Sequence, residues 1–203
     1  MGRADLLDRQ AALQAEADSI VELLDIENRL RAIGNPIRVG SSALGLMVRR
    51  DIDITVVCDK LDSPTHAAIA ELLRELAAHP RVGSVRFRND SGFWNKTPEA
   101  YPDGLYIGIT CLSAADDEWT FDIWFVDEPA RQPDLGHLET IGRRLTPHIR
   151  ETILLIKTDL AASPPAQAEP LPSFLVYHAV LEHKVSNLAE FQSWLGAAQL
   201  GQL

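Results

Sequence analysis

Two acidic residues separated by one isoleucine, Asp51 and Asp53, begin the segment DIDITVVC. β-Branched residues dominate this segment, which favours a strand, and side chains two positions apart on a strand share one face. Both carboxylates are therefore expected on the same face, with the isoleucines in the core. Because adjacent carboxylates repel each other unless a cation lies between them, this pair is typical of a site for Mg²⁺, with Mn²⁺ as an alternative ion.

A third carboxylate, Asp122, is the only charged residue within the otherwise apolar segment WTFDIWFV. A strand there directs Asp122 away from the aromatic core positions, and an unpaired carboxylate in such a strand is costly. If this strand lies beside the first, three carboxylates converge and can hold metal ions that activate an attacking oxygen and stabilise a leaving phosphate. Asp127 and the pair Asp116 and Asp117 are alternatives for the third carboxylate, although their positions are typical of turns.

A candidate phosphate-binding loop, Gly40-Ser41-Ser42, follows a short predicted strand. Glycine allows the backbone to approach an anion closely, and the N–H groups and hydroxyls that follow can hold phosphate oxygens. Arg49 and Arg50, directly before the aspartates, can add positive charge near a triphosphate. We therefore take Gly40, Ser41, Ser42 and Arg50 as candidate nucleotide-binding residues.

The order of these motifs is a hydrophobic residue with Gly40-Ser41, nine further residues, Asp51-Ile-Asp53-Ile, and a later strand-borne Asp122. This order resembles the DNA polymerase beta-like nucleotidyltransferase superfamily over residues 38–126. The helical tail that follows is similar to that of antibiotic-type and small bacterial nucleotidyltransferases.

The resemblance implies a mixed sheet flanked by helices and the transfer of a nucleoside monophosphate from a nucleoside triphosphate to a hydroxyl acceptor. It assigns phosphate binding to Gly40 and Ser41, and Mg²⁺ binding to Asp51 and Asp53. Asp122 then either completes the metal site or takes the proton of the acceptor hydroxyl. The chain departs from the family pattern at Arg50, where many members have serine, and lacks the arginine that often follows Gly-Ser.

An α+β fold is expected, with a catalytic domain at residues 1–130 and a C-terminal helical domain at 131–203. Periodicity predicts helices at 4–33, 43–48, 65–79, 146–160, 173–183 and 188–198. Strands are predicted at 37–39, 51–58, 82–87, 105–112 and 119–126, the last two as a hairpin. The intervening segments 89–103 and 163–172 are predicted to be a loop and a proline-rich linker.

Composition narrows the choice of partners. The formal net charge of -10 disfavours a nucleic-acid backbone and fits a cationic acceptor or a metal-bound nucleoside triphosphate better. A small-molecule acceptor is therefore expected. No apolar run reaches membrane-span length and the N-terminus does not read as a signal peptide, so a cytoplasmic protein is expected. The spacing of the two cysteines and six histidines indicates neither zinc nor a disulfide framework.

Two other classes of function compete with the enzyme. A non-catalytic nucleotide-binding protein, regulatory or of toxin–antitoxin type, would have the same fold, and an interaction protein would be built around the helices. Phe93 and Trp94 could stack on a base, but aromatic residues in loops usually pack on their own domain, and this packing is expected. Four side chains of the C-terminal helices could line a nucleotide or acceptor pocket, but a position on the helix surface is expected for each of them. They are Lys157, Tyr177, His178 and Lys184.

Overall fold

Five strands form one mixed sheet in the computed structural model, which describes residues 3–162 and 171–200. The strands are β1 (Asn35–Val39), β2 (Asp51–Val57), β3 (Val82–Asp90), β4 (Gly104–Leu112) and β5 (Glu118–Val126). Their order across the sheet is β1-β2-β5-β4-β3. Only β2 and β5 pair in parallel, and the other neighbours are antiparallel, including the predicted β4–β5 hairpin.

Helices precede, interrupt and follow the sheet, which confirms the α+β class and the flanking helices. They are α1 (Arg3–Leu23), α2 (Ile26–Arg31), α3 (Gly40–Leu44), α4 (Ser63–Ala77), α5 (Pro133–Gly142), α6 (Pro147–Ala162), α7 (Ser173–His183) and α8 (Leu188–Leu200). Most of the segment predicted as a proline-rich linker, residues 163–170, lies outside the described residues. None of the described helices is both long and apolar enough to cross a membrane.

The helix predicted at 4–33 is two helices, because Asp25 has a left-handed backbone with φ of 50°. Aspartate tolerates this conformation better than most residues, since its short polar side chain bonds locally. Here Asn28 Nδ2 donates to Asp25 Oδ1 at 2.7 Å. The break redirects the chain, and α2 then buries Ile26 and Leu30 completely.

One face of the sheet carries the main hydrophobic core. The alternation expected for β2 and β5 is confirmed, because Ile52 and Ile54 are buried on β2, and Phe121 and Ile123 on β5. Helices α1, α2 and α4 cover this face with apolar side chains. The aspartates therefore lie on the opposite face, on a scaffold whose other side is fully packed.

A second hydrophobic cluster joins the C-terminal helices to the start of the domain. It contains buried residues of α5, α6, α7 and α8 together with Leu44 and Leu46. Since α3 directly follows β1, the candidate phosphate loop lies where the two clusters meet. The helix predicted at 43–48 lies instead at Gly40–Leu44, so the prediction is wrong beyond Leu44, and the candidate loop is itself the first turn of α3.

Replacing Phe121 with alanine tests the importance of the core beneath the aspartates. Phe121 is fully buried, so Phe121→Ala should cost about 3–5 kcal/mol of unfolding free energy through lost burial and a residual cavity. Phe93→Ala makes the same chemical change at a side chain that is 98% exposed and should cost less than about 0.5 kcal/mol. Urea denaturation measures both, and similar losses would contradict this account of the core.

Candidate active site

The parallel pairing of β2 with β5 brings the three aspartates together. Asp53 is the register partner of Asp122, and Asp51 is the partner of Thr120. Asp51, Asp53 and Asp122 are partly buried, and each offers one carboxylate oxygen within 4.8 Å of the others. The convergence expected for three carboxylates is therefore present, on the face opposite the main core.

The other acidic candidates for the third position have structural partners elsewhere. Asp116 and Asp117 form ion pairs with Arg81 and Arg50 at 2.5 and 3.1 Å. Asp127 accepts a hydrogen bond from the Leu61 backbone N–H at 3.1 Å. Asp122 is thus the residue that the sheet places beside the Asp-x-Asp motif.

Burial and mutual repulsion make the cluster costly when it is fully ionised. Burial raises the pKa of Asp53 to about 8, and the Asp51 and Asp122 carboxylates add to the shift. Burial also raises the pKa of Asp51, against a hydrogen bond from Thr120 Oγ1 at 2.5 Å. Among the described residues, no side-chain hydrogen bond compensates Asp53. Three carboxylate oxygens this close together, with the central carboxylate uncompensated, fit a divalent cation such as Mg²⁺.

Gly40 lies directly against the central carboxylate of this cluster. Its φ is 61°, in the left-handed region, and a Cβ at this position would overlap Asp53 Oδ2. Glycine is therefore required twice, by the backbone conformation and by the close approach. The turn carries Ser41 to the edge of the carboxylate site, which is where a phosphate bridging the loop and a metal would lie.

A buried lysine from α6 reaches this same loop. Lys157 Nζ donates to Ser41 Oγ at 2.6 Å and to the Leu46 backbone oxygen at 2.7 Å. It also contacts the Tyr177 hydroxyl at 3.2 Å, and that hydroxyl lies 3.1 Å from Ser41 Oγ. Burial lowers the pKa of Lys157 to about 7, while the Asp53 carboxylate opposes the shift. The lysine therefore places its amine against the candidate phosphate loop, between the two hydrophobic clusters.

Two of the candidate nucleotide-binding residues do not join this arrangement. Arg50, in the bend just before β2, pairs with Glu16 of α1 at 3.0 Å and with Asp117 at 3.1 Å. Ser42 is buried, and its hydroxyl donates to the Val39 backbone oxygen at 3.3 Å. The structure thus leaves Gly40 and Ser41 at the site and directs Arg50 and Ser42 elsewhere.

On the other side of the cluster, the Tyr106 hydroxyl donates to Asp122 Oδ1. Burial raises the pKa of Tyr106, and the hydrogen bond to Asp122 adds to the shift, so the phenol retains the proton that it donates. Arg86 Nη2 in turn donates to the phenol oxygen at 2.9 Å. One oxygen of Asp122 is therefore engaged, and the other accepts no side-chain hydrogen bond among the described residues.

Sequence reasoning preferred a helix-surface position for Lys157 and did not select Tyr106, Arg86 or Asp134. Lys157 follows Ile153 by four positions, so it lies on the buried stripe of α6, and this spacing was the available signal. Asp134, near the start of α5, adds negative charge near Asp53, an approach that depends on how α5 packs. The exposed Phe93 and Trp94 do not pack on the domain as expected of loop aromatics.

No model of a known protein family matches the chain, and no curated protein sequence matches it. Among solved structures, a variant of Cid1 poly(U) polymerase bound to MgATP gives a TM-score of 0.57 at 19% identity, covering 84% of this chain and 51% of that one. Cid1 with the UTP analogue UMPNPP gives 0.56 at 16% identity, covering 89% and 55%. The MgGTP-bound polymerase gives 0.56 at 20% identity, covering 82% and 50%. The chain spans about half the length of these structures and shares their fold.

Removing the charge of Asp53 should stabilise the metal-free protein. The folded state holds a proton on Asp53 up to a pKa of about 8, against an ordinary value of 3.8, so this contribution to stability is present below 3.8 and lost as pH rises to about 8. In EDTA, Asp53→Asn should match the wild type near pH 4 and exceed its Tm by roughly 10 °C at pH 9. Asp59→Asn, at an exposed position just beyond β2, is the control. A Tm difference independent of pH would refute this account.

Gly40→Ala separates the close approach to Asp53 from backbone strain. Gly92 is the matched control, because its φ of 54° is also left-handed but an added Cβ there has nothing within 4 Å. Gly92→Ala should cost about 1–2 kcal/mol through strain alone. Gly40→Ala should cost at least about 1 kcal/mol more, because the methyl group displaces the carboxylate. Thermal denaturation compares the two variants, and equal losses would show that Asp53 is not crowded.

Proposed function

We propose that the chain is a metal-dependent nucleotidyltransferase that moves a nucleoside monophosphate from a nucleoside triphosphate to a hydroxyl acceptor. The observation that carries the proposal is the joint placement of three converging carboxylates and a glycine-serine turn backed by Lys157. An acidic cluster alone is common on protein surfaces. A cation-lined anion loop directly against it matches the needs of a metal-bound triphosphate.

The proposed arrangement assigns each residue a part. Asp51 and Asp53 would hold Mg²⁺ or Mn²⁺, with Asp122 beside the ion as the base. The ion would neutralise phosphate charge and stabilise negative charge on the attacking and leaving oxygens. The Gly40-Ser41 turn and Lys157 would bind the terminal phosphates. These contacts orient the α-phosphate toward Asp122 for in-line attack, and they hold the departing pyrophosphate.

In the transfer step, the acceptor oxygen forms a bond to the α-phosphorus. The bond from that phosphorus to the bridging oxygen breaks, and pyrophosphate leaves with the electron pair. The acceptor proton passes to the carboxylate oxygen of Asp122 that does not accept from Tyr106. Asp122 therefore acts as the general base in this scheme, and Tyr106 fixes its orientation.

We further propose that residues 1–130 and 131–203 act as two units around the site. The first would provide the metal ligands and the glycine-serine turn, and the second would provide Lys157 and Tyr177. Support comes from the second hydrophobic cluster, in which Leu44 and Leu46 pack with the C-terminal helices. The triphosphate would lie between the units, a common place for ligand sites.

Two classes of acceptor fit the proposed reaction, a small hydroxyl compound and an RNA end. The solved structures with this fold are of Cid1, which is named as a poly(U) polymerase with RNA terminal uridylyl transferase activity, and they include complexes with a UTP analogue, MgATP and MgGTP. The net charge of -10 on this chain opposes a long polyanion and favours a small acceptor. We propose the small acceptor, and a labelled-nucleotide transfer assay with small hydroxyl compounds and RNA ends distinguishes the two.

Calorimetric titration of the four nucleoside triphosphates, with and without Mg²⁺, tests the donor site. Binding should require Mg²⁺ and disappear in Asp51→Asn/Asp53→Asn, because the metal joins the carboxylates to the phosphates. Lys157→Gln should weaken it by about tenfold or more through loss of a charge-assisted contact. Lys60→Gln removes the same charge from an exposed position and should leave affinity unchanged.

The titration also separates the enzyme from the competing functions. Mg²⁺-dependent binding without label transfer to any acceptor would support a non-catalytic regulatory protein of the same fold. A folded wild type that binds no nucleoside triphosphate, even with acceptors present, would refute the proposed function.

A further inference from the structure

Two arginines extend from the third carboxylate across the site face of the sheet. Arg86 on β3 pairs in register with Gly108 on β4, which pairs with Asp122 on β5. In the next row, Arg88 pairs with Tyr106, and Tyr106 pairs with Trp124. Asp51, Asp53 and the glycine-serine turn lie toward β1, on the other side of Asp122 from these two arginines.

Arg86 has no carboxylate partner within ion-pair distance among the described residues. The side chain is exposed, and its hydrogen bond goes to the phenol oxygen of Tyr106. Arg88 lies over the rings of Tyr106 and Trp124 at 4.8 and 5.3 Å, with Asp90 as its acidic neighbour at 2.9 Å. The two rings and Asp90 hold the Arg88 guanidinium in place, and the Arg86 guanidinium remains available to an external anion.

The absence of a side chain at Gly108 links these arginines to the catalytic carboxylate. A Cβ on Gly108 would lie 2.6 Å from the Tyr106 hydroxyl and 3.2 Å from Arg86 Nη2. Because glycine leaves this space open, the phenol reaches Asp122 Oδ1, and Arg86 reaches the phenol. The guanidinium is thus two hydrogen bonds from Asp122, although their strands are about 10 Å apart.

We propose that Arg86 and Arg88 form a binding site for a phosphate group on the acceptor, beside the hydroxyl that Asp122 deprotonates. This rests on the proposed nucleotidyl transfer. The short path from Arg86 to Asp122 suits a phosphate and a hydroxyl on one sugar ring, as in a small phosphorylated sugar. An acceptor with a phosphate group would be repelled by the three aspartates and by the net charge of -10. The two guanidinium groups would offset this repulsion locally.

Calorimetry with ribose 5-phosphate and ribose tests this site without turnover. Ribose 5-phosphate should bind the wild type, and ribose should bind at least about tenfold more weakly, because it lacks the charge-assisted contacts. Arg86→Gln and Arg88→Gln should each weaken ribose 5-phosphate binding by about tenfold. Arg74→Gln is the matched control, because Arg74 lies on α4, which packs on the opposite face of the sheet. Lys157→Gln should weaken nucleoside triphosphate binding and leave ribose 5-phosphate binding as it is.

Equal affinity for ribose and ribose 5-phosphate would overturn the proposal. The proposal would also be overturned if Lys157→Gln lost ribose 5-phosphate binding while Arg86→Gln and Arg88→Gln retained it. That result would place the phosphate at the glycine-serine turn. Binding of an oligoribonucleotide without any binding of ribose 5-phosphate would also overturn it, in favour of RNA. If ribose 5-phosphate binding depends on Arg86 but no nucleoside triphosphate binds, the phosphate site stands and the proposed transfer fails.

Discussion

Asp53 and Asp122 face each other across the parallel pairing of β2 and β5, and this contact of like charges constrains the surrounding structure. The two carboxylates stay close because the strands that carry them bury aromatic and aliphatic side chains on the opposite face. That packed face fixes the register, since a slip of one residue would move the aspartates into the core. The free energy of hydrophobic burial therefore maintains an arrangement that electrostatics alone would separate.

Some neighbours of the three aspartates donate hydrogen bonds to them, and one neighbour, Gly40, limits the space around them. Thr120 and Tyr106 each donate to one oxygen of a flanking aspartate. Asp53, at the centre, has Gly40 against it and no side-chain donor in the part of the chain that the structure describes. This arrangement leaves unsatisfied oxygens directed at a common point, which is how proteins prepare a site for a hard cation. Holding the carboxyl groups this close lowers the stability of the fold. Such a cost is typical of residues arranged for binding and not for stability.

Lys157 shows why chain position alone did not reveal the whole site. Its helix begins more than a hundred residues after Ser41, yet the packing of α6 and α7 against Leu44 and Leu46 brings its ammonium group to the serine hydroxyl. Arg50 shows the reverse case. It is adjacent to Asp51 in sequence, but its side chain in the bend before β2 pairs with Glu16 and Asp117. Proximity along the chain is therefore a poor guide to charge placement on a strand.

The sequence by itself determined the strands, most helices and the two-residue spacing that puts Asp51 and Asp53 on one face, because these follow from local propensity and periodicity. It also singled out Asp122, since a charge in an apolar strand needs a partner. Tertiary structure alone decided that β2 and β5 are neighbours, that Lys157 backs the glycine-serine turn, and that Arg86 reaches toward Asp122 through Tyr106. Such contacts depend on long-range strand order and helix packing, which arise from the burial of the whole core and which no local pattern encodes.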